Sequence, residues 1–188
     1  MEDKWQKLWE ARQAALEEIL GPADEHVGHA TVPFEMGVDI GGAADLLYFR
    51  RHISGIVAVT AQLIGLDEQI PNDLGNYELM ICQHTEDNWA PNLISRLAYY
   101  TLRARLNPGE TMDIGSAVPK DSTMSALLFF DYARFSVAGR TAGLLLCLGI
   151  TDDELHACRR GSRAKVEAAL KRSGIYPYTD LRRRSALQ

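Results

Sequence analysis

The stretch AGLLLCLGITDDEL, residues 142–155, decides the fold. Ala142 to Ile150 are all apolar or glycine. These nine residues fall well short of the roughly 20 that a membrane-spanning helix requires. The run instead has the length and composition of a central strand covered on both faces. Directly after it, Thr151-Asp152-Asp153-Glu154 forms a capping box, a threonine N-cap with a glutamate three residues on, and sets three acids at the positive end of a helix dipole. From there Leu155, Cys158, Val166, Ala169 and Leu170 recur at helical spacing, and Ser173-Gly174 ends the helix.

Upstream, Ala126–Tyr132 is a second long apolar run and pairs naturally with Gly143–Leu148 as central strands, while Thr111–Ile114 is a shorter strand. A helix is marked by Asp87 or Asn88 as cap, Pro91 in the first turn and Leu93, Ile94, Leu97, Tyr100 and Ala104 as its stripe, with Asn107-Pro108-Gly109 at its end. Tyr77–Gln83 is an apolar strand preceded by turn chemistry at Pro71-Asn72-Asp73-Leu74-Gly75. His26–Val32, Leu46–Arg50 and Ile53–Leu63, the last interrupted by Gly55, are strand candidates, and Gly41-Gly42 is a turn. An opening helix over residues 3–20 carries Trp5, Leu8, Trp9, Leu16, Ile19 and Leu20 on one face, with Gly21-Pro22 as its stop. Arg12 falls within that stripe, where its stem is expected to pack while its head reaches solvent. The expected fold is α+β: one domain over residues 1–188, a mixed or antiparallel sheet packed with about three main helices.

Composition narrows the function. Apolar residues are 46% and charged residues 24% of 188, an ordinary globular balance. Three separated cysteines, Cys82, Cys147 and Cys158, lack paired spacing and point to a reducing, cytoplasmic compartment rather than a disulfide framework. The polar, acidic start is not a secretory signal. The net charge of −5 is unevenly spread. Residues 159–188 hold nine Lys/Arg against Glu167 and Asp180, a balance of +7, so the remainder carries −12. An acidic body disfavours nucleic acid, and no nucleic-acid-binding motif is present.

Chemical motifs are sparse. There is no GxGxxG, P-loop, GxSxG or HExxH pattern. His26 and His29 lie in an extended stretch that sends their side chains to opposite faces, so no metal site is expected. The densest group of acid–base residues is His84-Thr85-Glu86-Asp87, between a strand and a helix, where functional residues often sit. Helix capping by Asp87 accounts for part of that cluster without chemistry. Trp89 is either an interface anchor beside charge or a staple joining helix to sheet. Arg182-Arg183-Arg184 form a second exposed candidate. No catalytic residue, cofactor or metal ligand is assigned.

Several segments taken together resemble the suppressor of fused (SUFU) family. They are the strand Tyr77-Glu78-Leu79, then Trp89, then the helix Leu93-Ile94-Ser95-Arg96-Leu97-Ala98-Tyr99-Tyr100. Ala126-Leu127-Leu128-Phe129 follows, then Ile150-Thr151-Asp152-Asp153-Glu154-Leu155, and Thr179-Asp180-Leu181-Arg182-Arg183-Arg184-Ser185 closes the series. They occur in the family's order over residues 45–187. The resemblance implies a non-enzymatic protein-binding module. Animal members restrain Gli-type transcription factors, and some bacterial stand-alone members are proposed immunity proteins that neutralise toxins. On this reading Glu86, Asp87, Trp89, Arg182, Arg183 and Arg184 are the partner-binding candidates, and a basic toxin suits the acidic body. Two alternatives stand beside it: a small enzyme using the His84–Asp87 loop, and a homo-oligomer joined through Trp5 and Trp9.

The closing helix generates a direct test. Thr151→Ala should lower unfolding free energy by about 1 kcal/mol through loss of the cap. Leu155→Ala should lower it by about 2–5 kcal/mol through loss of core packing. Denaturant melts measure both.

Overall fold

The computed structural model describes residues 2–32 and 42–188, with side chains from Trp5 onward. Gly41, expected in a turn, lies outside the described residues. The first helix, α1, is Glu2–Leu20, and the strands are β1 (Leu46–Phe49), β2 (Ile56–Thr60), β3 (Asn76–Gln83), β4 (Thr111–Asp113), β5 (Met124–Val137) and β6 (Arg140–Thr151). They form one mixed six-stranded sheet in the order β1-β2-β3-β6-β5-β4. Only β3 and β6 pair in parallel; the other neighbours are antiparallel. The fold is α+β, as the alternation of strand and helix patterns predicts.

The run from Ala142 to Ile150 is buried throughout, and β6 lies between β3 and β5. It turns back from β5 through Ala138 and Gly139, both at positive φ (48° and 78°), which is the two-residue hairpin turn that matches strand twist. Two apolar layers cover the sheet. One contains Leu16 and Leu20 of α1 together with Leu155, Val166 and Leu170 from the C-terminal helices. The other contains Tyr77, Leu79 and Ile81 of β3 against Ala90, Ile94 and Ala98 of α2, the helix Trp89–Tyr100. No helix of the described residues is long and apolar enough to cross a membrane.

Four local expectations are corrected. The closing helix is two: α3 (Asp152–Ala157) and α4 (Arg163–Arg172) flank a π-turn, and Gly161 at φ 83° breaks the run because it occupies the left-handed region that glycine tolerates. Helix α2 ends at Tyr100 rather than near Asn107, where the Thr101 hydroxyl donates to the Ala98 carbonyl. Its buried face is built from small residues, Ala90, Ser95 and Ala98, around Ile94, and Tyr100 is largely exposed. The expected strand at 26–32 makes a single bridge, Gly28 to Leu46. A Cβ on Gly28 would lie 3.0 Å from the Tyr48 hydroxyl, so this backbone approaches β1 closely and a side chain there would make Tyr48 give way.

The fourth correction concerns Arg12. Its head does not reach water. Arg12 is buried with its guanidinium 4.8 Å from the Trp9 ring centroid, donating to the Ile64 carbonyl at 3.0 Å and lying 3.9 Å from Glu78. Glu78, in the middle of β3, is fully buried. Its carboxylate accepts from the Thr60 hydroxyl at 2.6 Å and from the Leu63 and Ile64 amides at 2.9 and 2.8 Å. One carboxylate thus ties the segment leaving β2 to the centre of the sheet and sets α1 above it. Burial pushes this carboxyl upward, opposed by Arg12, Thr60 and the two amides.

Glu78→Ala leaves two buried amides without their acceptor and a buried guanidinium without its counter-charge. It should lower unfolding free energy by about 3–5 kcal/mol. Thr60→Val removes the hydroxyl that donates to Glu78 and accepts the buried Leu79 amide at 2.8 Å, and should cost about 1–3 kcal/mol, as read from denaturant melts.

Candidate functional site: a groove at the end of the parallel strands

Parallel pairing of β3 with β6 runs from Asn76↔Ala142 to Met80↔Leu146 and then stops. Past that point the C-terminal segment wedges between the two strands. Tyr178 bridges to Cys82, the Thr179 amide donates to the Cys82 carbonyl at 2.8 Å, and the Thr179 hydroxyl accepts from the Gly149 amide at 2.9 Å. Gly149 leaves room for this: a Cβ there would lie 2.8 Å from the Thr179 methyl. Above the wedge opens a groove of about 380 Å³, lined by Gln83, His84, Thr85 and Asp87 on one side and Thr179, Asp180, Leu181 and Arg182 on the other. The His84–Asp87 loop and residues 179–182, far apart in sequence, therefore form the two walls of one feature; of the partner-binding candidates Asp87 and Arg182 line it, and Glu86, Trp89, Arg183 and Arg184 do not.

A buried ion pair holds the tail in place. The Arg183 guanidinium grips Glu154 through both oxygens, at 2.7 and 2.6 Å, and also donates to the Gly149 carbonyl at 2.9 Å. Glu154, fully buried, accepts from the Thr151 amide at 2.9 Å and the Ala186 amide at 2.7 Å, so the capping-box glutamate also anchors the chain end. Thr123 clamps the same segment, its amide donating to the Leu181 carbonyl and its hydroxyl to the Arg183 carbonyl, each at 2.8 Å. Burial alone would raise the Glu154 carboxyl. Hydrogen bonds from Arg183, Ala186 and Thr151 outweigh burial and hold the carboxyl below the usual carboxylate value.

The candidate residues separate by role. Arg182 is exposed, with its guanidinium on Asp121 at 2.5 Å, and Arg184 is exposed. Arg183, between them, faces inward. Glu86 is exposed and held in a two-pronged pair by Arg50 at 2.9 and 2.7 Å, and Arg50 also reaches Asp24 at 2.7 Å. Asp87 caps α2, with one oxygen accepting the Trp89 and Ala90 amides at 2.8 and 3.3 Å. Trp89 is half-buried against the α2 layer, and its indole N–H donates to the Ala117 carbonyl at 2.8 Å. His84 stacks on Tyr178 with ring centroids 3.7 Å apart. Among the described residues no cluster of His, Cys, Asp and Glu is arranged to hold a metal ion. Cys82 and Cys147 are buried free thiols, Cys82 pushed up to about 12 by burial and Cys147 higher still.

Sequence reasoning missed Gln83, Tyr178, Asp180 and Arg50. Gln83 ends an apolar strand and drew no notice as a polar residue at a buried position. The others acquire their roles only across the groove or from β1. Asp180 alone had a sequence signal, as part of the Thr179-Asp180 motif.

The sequence profile of the suppressor of fused protein (SUFU) matches residues 56–184. No functionally curated protein matches the chain. In structure the chain is similar to a SUFU homologue from Neisseria gonorrhoeae, with a TM-score of 0.66 at 16% identity, covering 100% of this chain and 99% of that one. It is similar also to a chain of the Sufu–Fu complex, with a TM-score of 0.70 at 13% identity over 97% and 91% of the two chains. Drosophila Suppressor of Fused gives 0.51 at 15% identity, over 80% of this chain and 41% of that protein. At these identities the structural likeness is one of fold.

The Glu154–Arg183 pair has a signed pH dependence. The folded carboxyl lies below its ordinary value of 4.5, so its stabilisation is complete above that value and is lost as pH falls through the folded one. Glu154→Gln should be about 3–5 kcal/mol less stable than wild type at pH 7. The gap should narrow as pH falls below 4.5 and through the lower folded value. Paired denaturant melts at neutral and acid pH check both the size and the narrowing.

Proposed function

Because the chain belongs to the suppressor of fused family, we propose that it acts by binding another protein, with the groove and its rim as the contact surface. One observation carries the reading. Asp87 and Arg182, which come from the two segments that sequence marks separately as partner-binding candidates, line opposite walls of one open groove. Arg182 presents charge in the groove, where complementary charge sets encounter rate and register. The exposed Arg184 and Glu86, the latter paired with Arg50, follow groove-lining residues in sequence. Arg183 belongs to the latch beneath and is not part of the contact surface. The −12 carried outside residues 159–188 favours a basic partner, and a toxin neutralised by an immunity protein of the cytoplasm is such a partner.

Catalysis by the His84–Asp87 loop is the weaker reading for a chemical reason. Glu86 is committed to Arg50 through both oxygens, Asp87 to the helix cap through one, and the His84 ring to a stack with Tyr178. These bonds satisfy a surface that positions charge for recognition. A proton-transfer site instead needs a base oriented by a neighbouring group, and no hydrogen bond holds the His84 ring among the described residues.

The test uses a partner captured by cross-linking in the source cell, then purified and titrated against the protein. Wild type should form a stoichiometric complex. Arg182→Glu, which exchanges a cation for an anion facing a basic partner, should tighten it about tenfold, the scale of one favourable charge contact. Melting should hardly change, because the exposed Arg182–Asp121 pair contributes at most about 1 kcal/mol. Trp89→Ala should instead lower stability by about 2–4 kcal/mol, as a half-buried staple would. A purified candidate that forms no complex, or one equally tight with Arg182→Glu, counts against this surface.

A further inference from the structure

Gln83 closes β3 at the floor of the groove. It is 4% exposed, and its side-chain amide has no hydrogen-bond partner among the described residues. Buried polar side chains are nearly always paired, and the Gln83 amide, nearly enclosed but not sealed from solvent, has only the groove from which a partner can come. The residues around it are engaged elsewhere: the Thr179 hydroxyl with Gly149, the His84 ring with Tyr178, and the Arg182 guanidinium with Asp121. Two carboxylates flank the opening. Asp87 uses one oxygen on the α2 cap, and exposed Asp180 uses one on the Arg182 amide, which leaves each a second oxygen. With Arg182 balanced by Asp121, the groove itself is acidic.

Resting on the protein-binding reading above, we infer that the groove takes an extended peptide segment of the partner bearing a lysine or arginine. The Gln83 amide pairs with the peptide backbone, and Asp87 and Asp180 receive the cation. A primary amide places a donor and an acceptor side by side, which complements the N–H and C=O of an extended chain. Two carboxylates at the mouth select a cationic side chain over an anionic one through charge-assisted hydrogen bonds. The choice of a basic segment agrees in sign with the acidic body.

The probe is the capped peptide acetyl-Gly-Ser-Arg-Ser-Gly-amide, titrated into the ¹⁵N-labelled full chain beside its counterpart with Glu in place of Arg. Gln83→Leu identifies the Gln83 side-chain NH₂ resonances by their disappearance. The arginine peptide should shift those resonances and the backbone amides of Asp87 and Asp180 saturably, and the glutamate peptide should not. Asp87→Asn combined with Asp180→Asn keeps an oxygen acceptor at both turns and should weaken the arginine peptide about tenfold. Gln83→Leu should abolish binding without lowering the melting temperature. The inference is overturned by Gln83 resonances that stay in place, by equal binding of the glutamate peptide, or by a marked drop in melting temperature for Gln83→Leu. None of these outcomes touches the protein-binding reading, which falls only if the purified partner forms no complex.

Discussion

Glu154 does three things at once, and the sheet's C-terminal end depends on all of them. It closes the capping box of α3 through the Thr151 amide, grips Arg183 with both oxygens, and accepts the Ala186 amide. A fully buried carboxylate is unfavourable by itself, since removal from water costs several kcal/mol per ion. Here four directed donors offset that cost, and the geometry admits one arrangement of the tail. The wedge of Tyr178 and Thr179, the splay of the parallel strands and the groove above them follow from that arrangement.

Glu78 plays the matching part at the other side of the sheet. It joins the loop after β2 to β3 and places Arg12, and so α1, over the same core. An apolar residue in either position would have been easier to bury. What the two carboxylates add is direction: each bonds to amides that an alternative register or tail placement would leave unpaired. This explains why the segments resembling the suppressor of fused family carry polar residues within apolar runs. Glu78 of the first strand motif, Glu154 of the strand-to-helix motif and Arg183 of the tail motif are all fold-defining contacts. The family pattern thus marks the scaffold and also reaches the groove, through Thr179 and Asp180 of the tail motif.

That division bears on function. The tail is pinned by the pairing of Arg183 with Glu154 and exposed at Arg182 and Arg184, so it serves as both latch and surface. Partner specificity can change at Gln83, His84, Asp180 and Arg182 without disturbing the buried pair beneath. A binding module needs this arrangement, because recognition residues placed on a fixed frame lose little entropy on association.

Much of the fold was legible in sequence because its signals are local. The buried run 142–150, the capping box at 151–154, the helix that begins near Trp89 and the turn glycines each act within a few residues, and hydrophobic periodicity reports them directly. Burial of polar side chains is not local. Nothing in Arg182-Arg183-Arg184 distinguishes the middle arginine; it turns inward only because Glu154 lies within reach across the sheet. Arg12 looked like a side chain reaching for water, and the carboxylate that keeps it inside is contributed by β3. Gln83 looked like the end of a strand, and became a groove floor when the C-terminal segment folded beside it. The chain by itself determined which segments are strands and helices, since those depend on neighbours in sequence. The tertiary structure alone decided which charges are latches and which are surface, since that depends on partners the chain brings together only after it folds.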